Sequence, residues 1–338
     1  MAQSSDLYIS RRVLLQSTAA MLASTAFVQT AANAQAVVER VHFVVAFQRG
    51  ASFDKTSRAA QAALLASGLS KNVTVENIEG RGGAVAIEHL RDRSVDNSNT
   101  LMMAGSSMML RNLIGIYPYK LSDLALVVRF SVEPLTFAVK DNSRFRSVGD
   151  VVAALKADPR SVSFCADSVP GLTEHLCVAK MCTKAGIAPK SVTYIPKPGG
   201  HADVIGAVVA GEADVMVIAA ADVLESRQNK SVRVLAVSSD KRVDYLPDVP
   251  TLAEAGVPDA VFYNSRGFFM APGTDPAKIT AMGNLLEKMV ATPEWERERV
   301  KGEVTMLFAR LPEGQEFFDG VQREMRGLLA ALGIPVVN

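Results

Sequence analysis

The chain has 338 residues, 49% of them hydrophobic and 21% charged, with a formal net charge of +1. That length can bury a large core and suggests two domains of ordinary size, and charge spread evenly along it reads as globular rather than disordered. Residues 1–34 hold Arg11, Arg12 and Asp6, so the remainder is close to neutral and offers no basic stripe to a phosphate backbone; a nucleic-acid partner is not expected.

Residues 1–34 read as an export signal. Ser10–Gln16 (SRRVLLQ) resembles a twin-arginine motif, an Ala/Ser/Thr-rich apolar stretch runs on to Val28, and Ala32-Asn33-Ala34 forms a small-x-small cleavage site. This stretch is too short and polar for a stable anchor, and no later segment reaches the roughly eighteen uninterrupted apolar residues of a spanning helix. A protein exported to the periplasm, cleaved after about Ala34 and not embedded in the membrane, is therefore expected. Cys165, Cys177 and Cys182 are too few for a disulfide framework; buried free thiols are expected, with one bridged pair as the alternative.

Val41–Phe47 is an apolar strand that breaks at Gln48-Arg49-Gly50-Ala51-Ser52 and resumes as a helix with Asp54 near its start. Ligands of open α/β sheets bind at the carboxyl edge of strands, where a helix start offers free amides and the positive end of its dipole. The same grammar recurs. A strand at 73–76 leads through Glu79-Gly80-Arg81-Gly82-Gly83-Ala84 into a helix, whose glycines would let backbone approach a ligand. A strand at 99–105 ends at Ser106 and Ser107. A strand at 162–166 precedes Asp167-Ser168-Val169-Pro170-Gly171 and a helix from Glu174 to Lys184. A strand at 192–195 precedes the loop holding Gly199, Gly200 and His201. Leu126–Val139 reads as a strand crossing between domains, Ser147 as the cap of a helix to Ala157, and Val261–Pro272 as the returning strand, bearing Arg266. Helices over 276–291, 293–301 and 312–331 enclose a strand near 304–308.

VHFVVAFQRGASFD (41–54) resembles the opening strand and loop of the tripartite tricarboxylate transporter receptors, extracytoplasmic solute-binding proteins of the Bug type, with Phe47, Gly50 and Asp54 matching. The 76–84 loop, His175-Leu176, the 211–216 turn and, above all, Leu246–Pro258 (LPDVPTLAEAGVP) resemble further segments of that family, over a span from about residue 41 to the end. Leu246–Pro258 is structural by its chemistry, with Thr251 and Glu254 capping a short helix that Gly256 stops. The chain departs from the family pattern at Ala46, Ala51, Pro198 and the segment 264–268, where Arg266 stands in place of a tryptophan.

The resemblance implies an α/β, type II-like periplasmic-binding-protein fold of two doubly wound sheets joined by two crossover hinges, with residues 40–135 plus 260–338 as lobe 1 and 136–259 as lobe 2. It implies capture of a small organic anion, a carboxylate, by a monomeric receptor that delivers it to a tripartite tricarboxylate-type membrane transporter. The expected ligand-binding residues are Phe47, Gln48, Arg49, Ser52 and Asp54 in the first loop, Arg81, Gly83 and Ala84 in the second, and Ser106 and Ser107 in the third. Asp167, Ser168 and Gly171 follow in the fourth, Gly199, Gly200 and His201 in the fifth, and Arg266 on the returning strand. The arginines suggest a ligand with extra negative charge. No cofactor, metal or catalytic residue is expected: the four histidines lack ligand spacing and there is no G-x-S-x-G elbow. Two alternatives are a binding protein that serves a membrane sensor and a periplasmic enzyme.

Overall fold

The computed structural model describes residues 38–92 and 99–337, so the export signal lies outside the described residues. Ten strands form one mixed sheet: β1 (Val38–Val45), β2 (Ser70–Asn77), β3 (Thr100–Gly105), β4 (Ala125–Lys140), β5 (Ser163–Ala166), β6 (Thr193–Pro196), β7 (Val215–Ala219), β8 (Val232–Val237), β9 (Tyr263–Met270) and β10 (Thr305–Ala309). The two expected sheets share a strand. The first part of β4 pairs antiparallel with β9 and β10, continuing the order β2-β1-β3-β9-β4. Its last residues pair antiparallel with β7 and β8, continuing to β5 and β6.

The helices are α1 (Ser52–Ala66), α2 (Ala84–Asp92), α3 (Ser106–Leu113), α4 (Val148–Ala157), α5 (Thr173–Lys184), α6 (His201–Ala210), α7 (Leu224–Gln228), α8 (Pro276–Val290), α9 (Pro293–Lys301) and α10 (Glu313–Leu332). Strands in the middle of the sheet are apolar along their whole length: β3 buries Leu101 to Gly105 and β7 all five residues, as strands covered on both faces must. α10 is amphipathic, turning Phe318, Met325, Leu328 and Leu329 inward, and ends at Gly333 in the left-handed conformation. Among the described residues no helix is long and apolar enough to cross a membrane.

Two connections run between the half-sheets, one inside β4 and one through residues 238–262. Ser238 ties them together. Its amide donates to the Leu135 carbonyl at 2.8 Å, its hydroxyl accepts from the Leu135 amide at 2.9 Å and donates to the Phe262 carbonyl at 2.6 Å, and its carbonyl accepts from the Phe262 amide at 2.8 Å. Thr251 and Glu254 exchange the reciprocal bonds of a capping box at 2.8 and 3.1 Å. The expected helix there is only a series of turns, because Gly256 at φ +91° closes it before a second helical turn can form. Cys165, Cys177 and Cys182 are buried free thiols.

Candidate ligand-binding cleft

A cavity of about 430 Å³ opens where loops of the two half-sheets meet, within the roughly 300–1,000 Å³ usual for small-molecule sites. Three helices start at its wall: α1 at Ser52, α3 beside Ser107, and α5 at Thr173 and Glu174. Their N-cap positions are Ala51, Gly105 and Leu172, none of which supplies a side-chain cap. Elsewhere α4, α8 and α9 are capped by Ser147, Asp275 and Thr292, while α6, α7 and α10 also lack a side-chain cap. Gly105 is demanded by close approach: a Cβ there would lie 2.0 Å from the Ser265 carbonyl oxygen.

The wall from the first half-sheet is cationic. Arg111, one turn after Ser107, lines the cavity and donates from Nη1 to the Ser107 carbonyl at 2.8 Å. Its guanidinium stands 5.7 Å from the Phe47 ring centroid. Burial pulls its pKa down, and Tyr117, Glu174 and Asp167 only partly offset that by raising it. The Ser107 hydroxyl, buried at the same wall, has no hydrogen-bond partner.

The wall from the second half-sheet is anionic. Burial raises the pKa of Asp167. It also pushes Glu174 up to about 7, with the neighbouring Asp167 carboxylate adding to the effect and a bond from Ser168 opposing it. Behind this loop His175 is held neutral, its pKa lowered to about 4 by burial, and its Nδ1 accepts from the Gly171 amide at 3.0 Å. Phe47, Phe53, Val169 and Leu172 supply apolar surface between the two polar walls.

Of the residues expected at the site, Phe47, Gln48, Ser52, Ser107, Asp167 and Ser168 line this cavity. Arg49 is exposed in its loop, and Arg81 turns away to pair with Glu88. Asp54 is a brace: it accepts from the Gly50 amide, Arg58 and Asn77, each at 2.9 Å. Gly83 packs against Ala46 and Met108, and Ala84 is fully buried. Ser106 accepts from the Ser265 amide at 2.8 Å and donates to Asn264 at 3.2 Å. Gly171 carries the bond to His175, while the 199–201 loop stands apart from the lining, His201 being 3.8 Å from Asp222.

Arg266 is buried beneath Ser52. It pairs with Glu133, donates to Ser52 Oγ at 2.8 Å and Thr56 Oγ1 at 3.2 Å, and lies 4.9 Å from the Phe53 centroid. Its charge is spent inside the protein. Burial alone would raise Glu133, but Arg266 and the bond from Asn264 outweigh it and hold that carboxyl below the usual range. Sequence reading passed over Arg111, Glu174, Thr173 and Asn264. The available signal for the first was its i,i+4 spacing from Ser107 on one helix face.

The family model of the tripartite tricarboxylate transporter family receptor matches residues 57–324. Protein BugT of Bordetella pertussis is 31% identical over 248 residues, covering 72% of this chain and 73% of that protein. Among solved structures, R. palustris Rpa4515 with adipate superposes with a TM-score of 0.72 at 19% identity, covering 88% of this chain and 98% of that one. MatC from Rhodopseudomonas palustris with bound malate gives 0.65 at 17% identity, covering 87% and 99%. With the two-part mixed sheet and its cleft already established, these matches assign the fold and the lineage: the chain belongs to the tripartite tricarboxylate transporter receptor family.

Proposed function

We propose that the protein is a periplasmic solute-binding receptor that captures a small carboxylate in the cleft and delivers it to a tripartite tricarboxylate-type membrane transporter. The observation that carries this reading is Arg111. It is a desolvated guanidinium at the cavity wall, next to an unpartnered serine hydroxyl and three helix starts without side-chain caps. A carboxylate whose two oxygens accept from Arg111, Ser107 and first-turn amides of α1 or α3 would pair with the donors of that wall through charge-assisted bonds. Family membership and the adipate and malate held by two structural neighbours support the ligand class.

In this reading residues 40–135 plus 260–338 form one lobe and 136–259 the other. The crossovers at Leu135 and Ser238 act as the hinge, and closure brings the anionic and cationic walls together around the ligand. The purified mature protein, screened by thermal shift against mono-, di- and tricarboxylates and amino acids, should be stabilised by about 2.7 kcal/mol at a hundredfold excess over Kd. A flat response to every acid, from protein shown by mass spectrometry to carry no bound small molecule, would refute it.

A further inference from the structure

The two walls of the cleft differ in charge. Arg111 and the orphan hydroxyl of Ser107 stand on one side, Asp167 and Glu174 on the other, all lining one cavity. A glutamate in the first turn of a helix is ordinarily explained by the dipole, worth about 0.3–1 kcal/mol at an exposed site. That explanation needs no more than an exposed side chain, whereas here a half-buried carboxylate lines a cavity beside a second one. The titratable and charged groups that act on the pair are Arg111 and His201, which favour the ionised form of Asp167, Glu133 and Asp222, which add negative charge, and the neutral Tyr194 and Cys177. Since Glu133 is already paired with Arg266, the open cavity holds one fixed cation against two carboxylates. A simple dicarboxylate reaching across it would press its second charge against like charges, which is costly.

We propose that the ligand is a carboxylate that also bears a primary ammonium group, an amino acid with an apolar or aromatic body, its carboxylate on Arg111 and Ser107 and its ammonium on Asp167 and Glu174. This rests on the carboxylate reading of the same cleft and narrows it. The ammonium supplies the positive countercharge for two acids whose donors are Ser168 and their own backbone amides, and Phe47, Phe53, Val169 and Leu172 receive the carbon skeleton. Binding a cation there favours the ionised form of Glu174, so uptake of the amino acid near neutral pH releases protons, whereas a dicarboxylate would take them up.

The test is calorimetric titration of the mature protein with acids matched on one skeleton. One set is hexanoate, 6-aminohexanoate and adipate; the other is 4-methylpentanoate, leucine and 2-isobutylsuccinate. The amino-bearing member of at least one set should bind about tenfold or more tightly than its diacid and desamino partners, with proton release measured across buffers of different ionisation enthalpy. Asp167→Asn combined with Glu174→Gln should reverse that preference in protein whose far-ultraviolet circular dichroism matches the wild type. If the diacids bind as tightly as the amino acids, or with proton uptake, the inference fails and the carboxylate reading stands. If no acid binds but hexylamine does, both fail.

Discussion

Arg266 is buried and Arg111 half-buried, both on elements of the first half-sheet, yet the structure treats them differently. Arg266 faces Glu133, Ser52 and Thr56, which take up most of its donors, and only its Nε is left without a partner. Arg111 forms one hydrogen bond, to a backbone carbonyl, and faces an open cavity. A buried charge with its counter-charge in place is a structural element whose removal strands the partner. Arg111 has no ion-pair partner among the described residues, and in the proposed function it awaits the ligand carboxylate. Proximity to the cleft does not separate the two; the hydrogen-bond inventory does.

That contrast yields graded expectations. Arg266→Met should produce the largest change in stability, about 3–5 kcal/mol lost in denaturant unfolding, because Glu133 is left buried and unpaired. If the loss is under about 1 kcal/mol, Arg266 is not the structural member of the pair. Glu174 should give a smaller, pH-dependent effect. Its folded pKa of about 7 lies above the ordinary 4.5, so the fold binds more protons than the unfolded chain between those values. Stability of the ligand-free protein should therefore fall as pH rises through that window, and Glu174→Gln should flatten the melting curve against pH. Arg49→Ala and Arg81→Ala should do least: both side chains are exposed and outside the lining, so ligand affinity should change less than about twofold. A tenfold loss would return them to the site.

Much of this was legible in the sequence. The strand-loop-helix units, the crossing strand 125–140 and the cap at Ser147 follow from periodicity and capping chemistry. The loops at Phe47–Ser52 and Asp167–Ser168, which the sequence puts at the carboxyl edge of strands, contribute lining to the cavity. Arg111 lies inside the Ser106–Leu113 helix, beyond the loops that strand-loop-helix grammar marks. Side chains in a helix lean toward its N-terminus, so a long residue one turn inside can still reach the opening. The sequence presents Arg266 as a free charge because its partner Glu133 lies 133 residues earlier, on a neighbouring strand whose register only the sheet reveals. The 199–201 glycines have the grammar of a binding loop, but the strand before them, β6, is at the far end of the sheet order.

The most direct test is thermal unfolding of wild-type and Arg111→Met protein, each with and without the best acid from the carboxylate and amino-acid screen. The account predicts equal melting points without ligand, a clear rise for wild type and almost none for the variant, matching a loss of at least about 2 kcal/mol of binding. The same ligand-induced rise in both proteins would contradict it and remove Arg111 from the site.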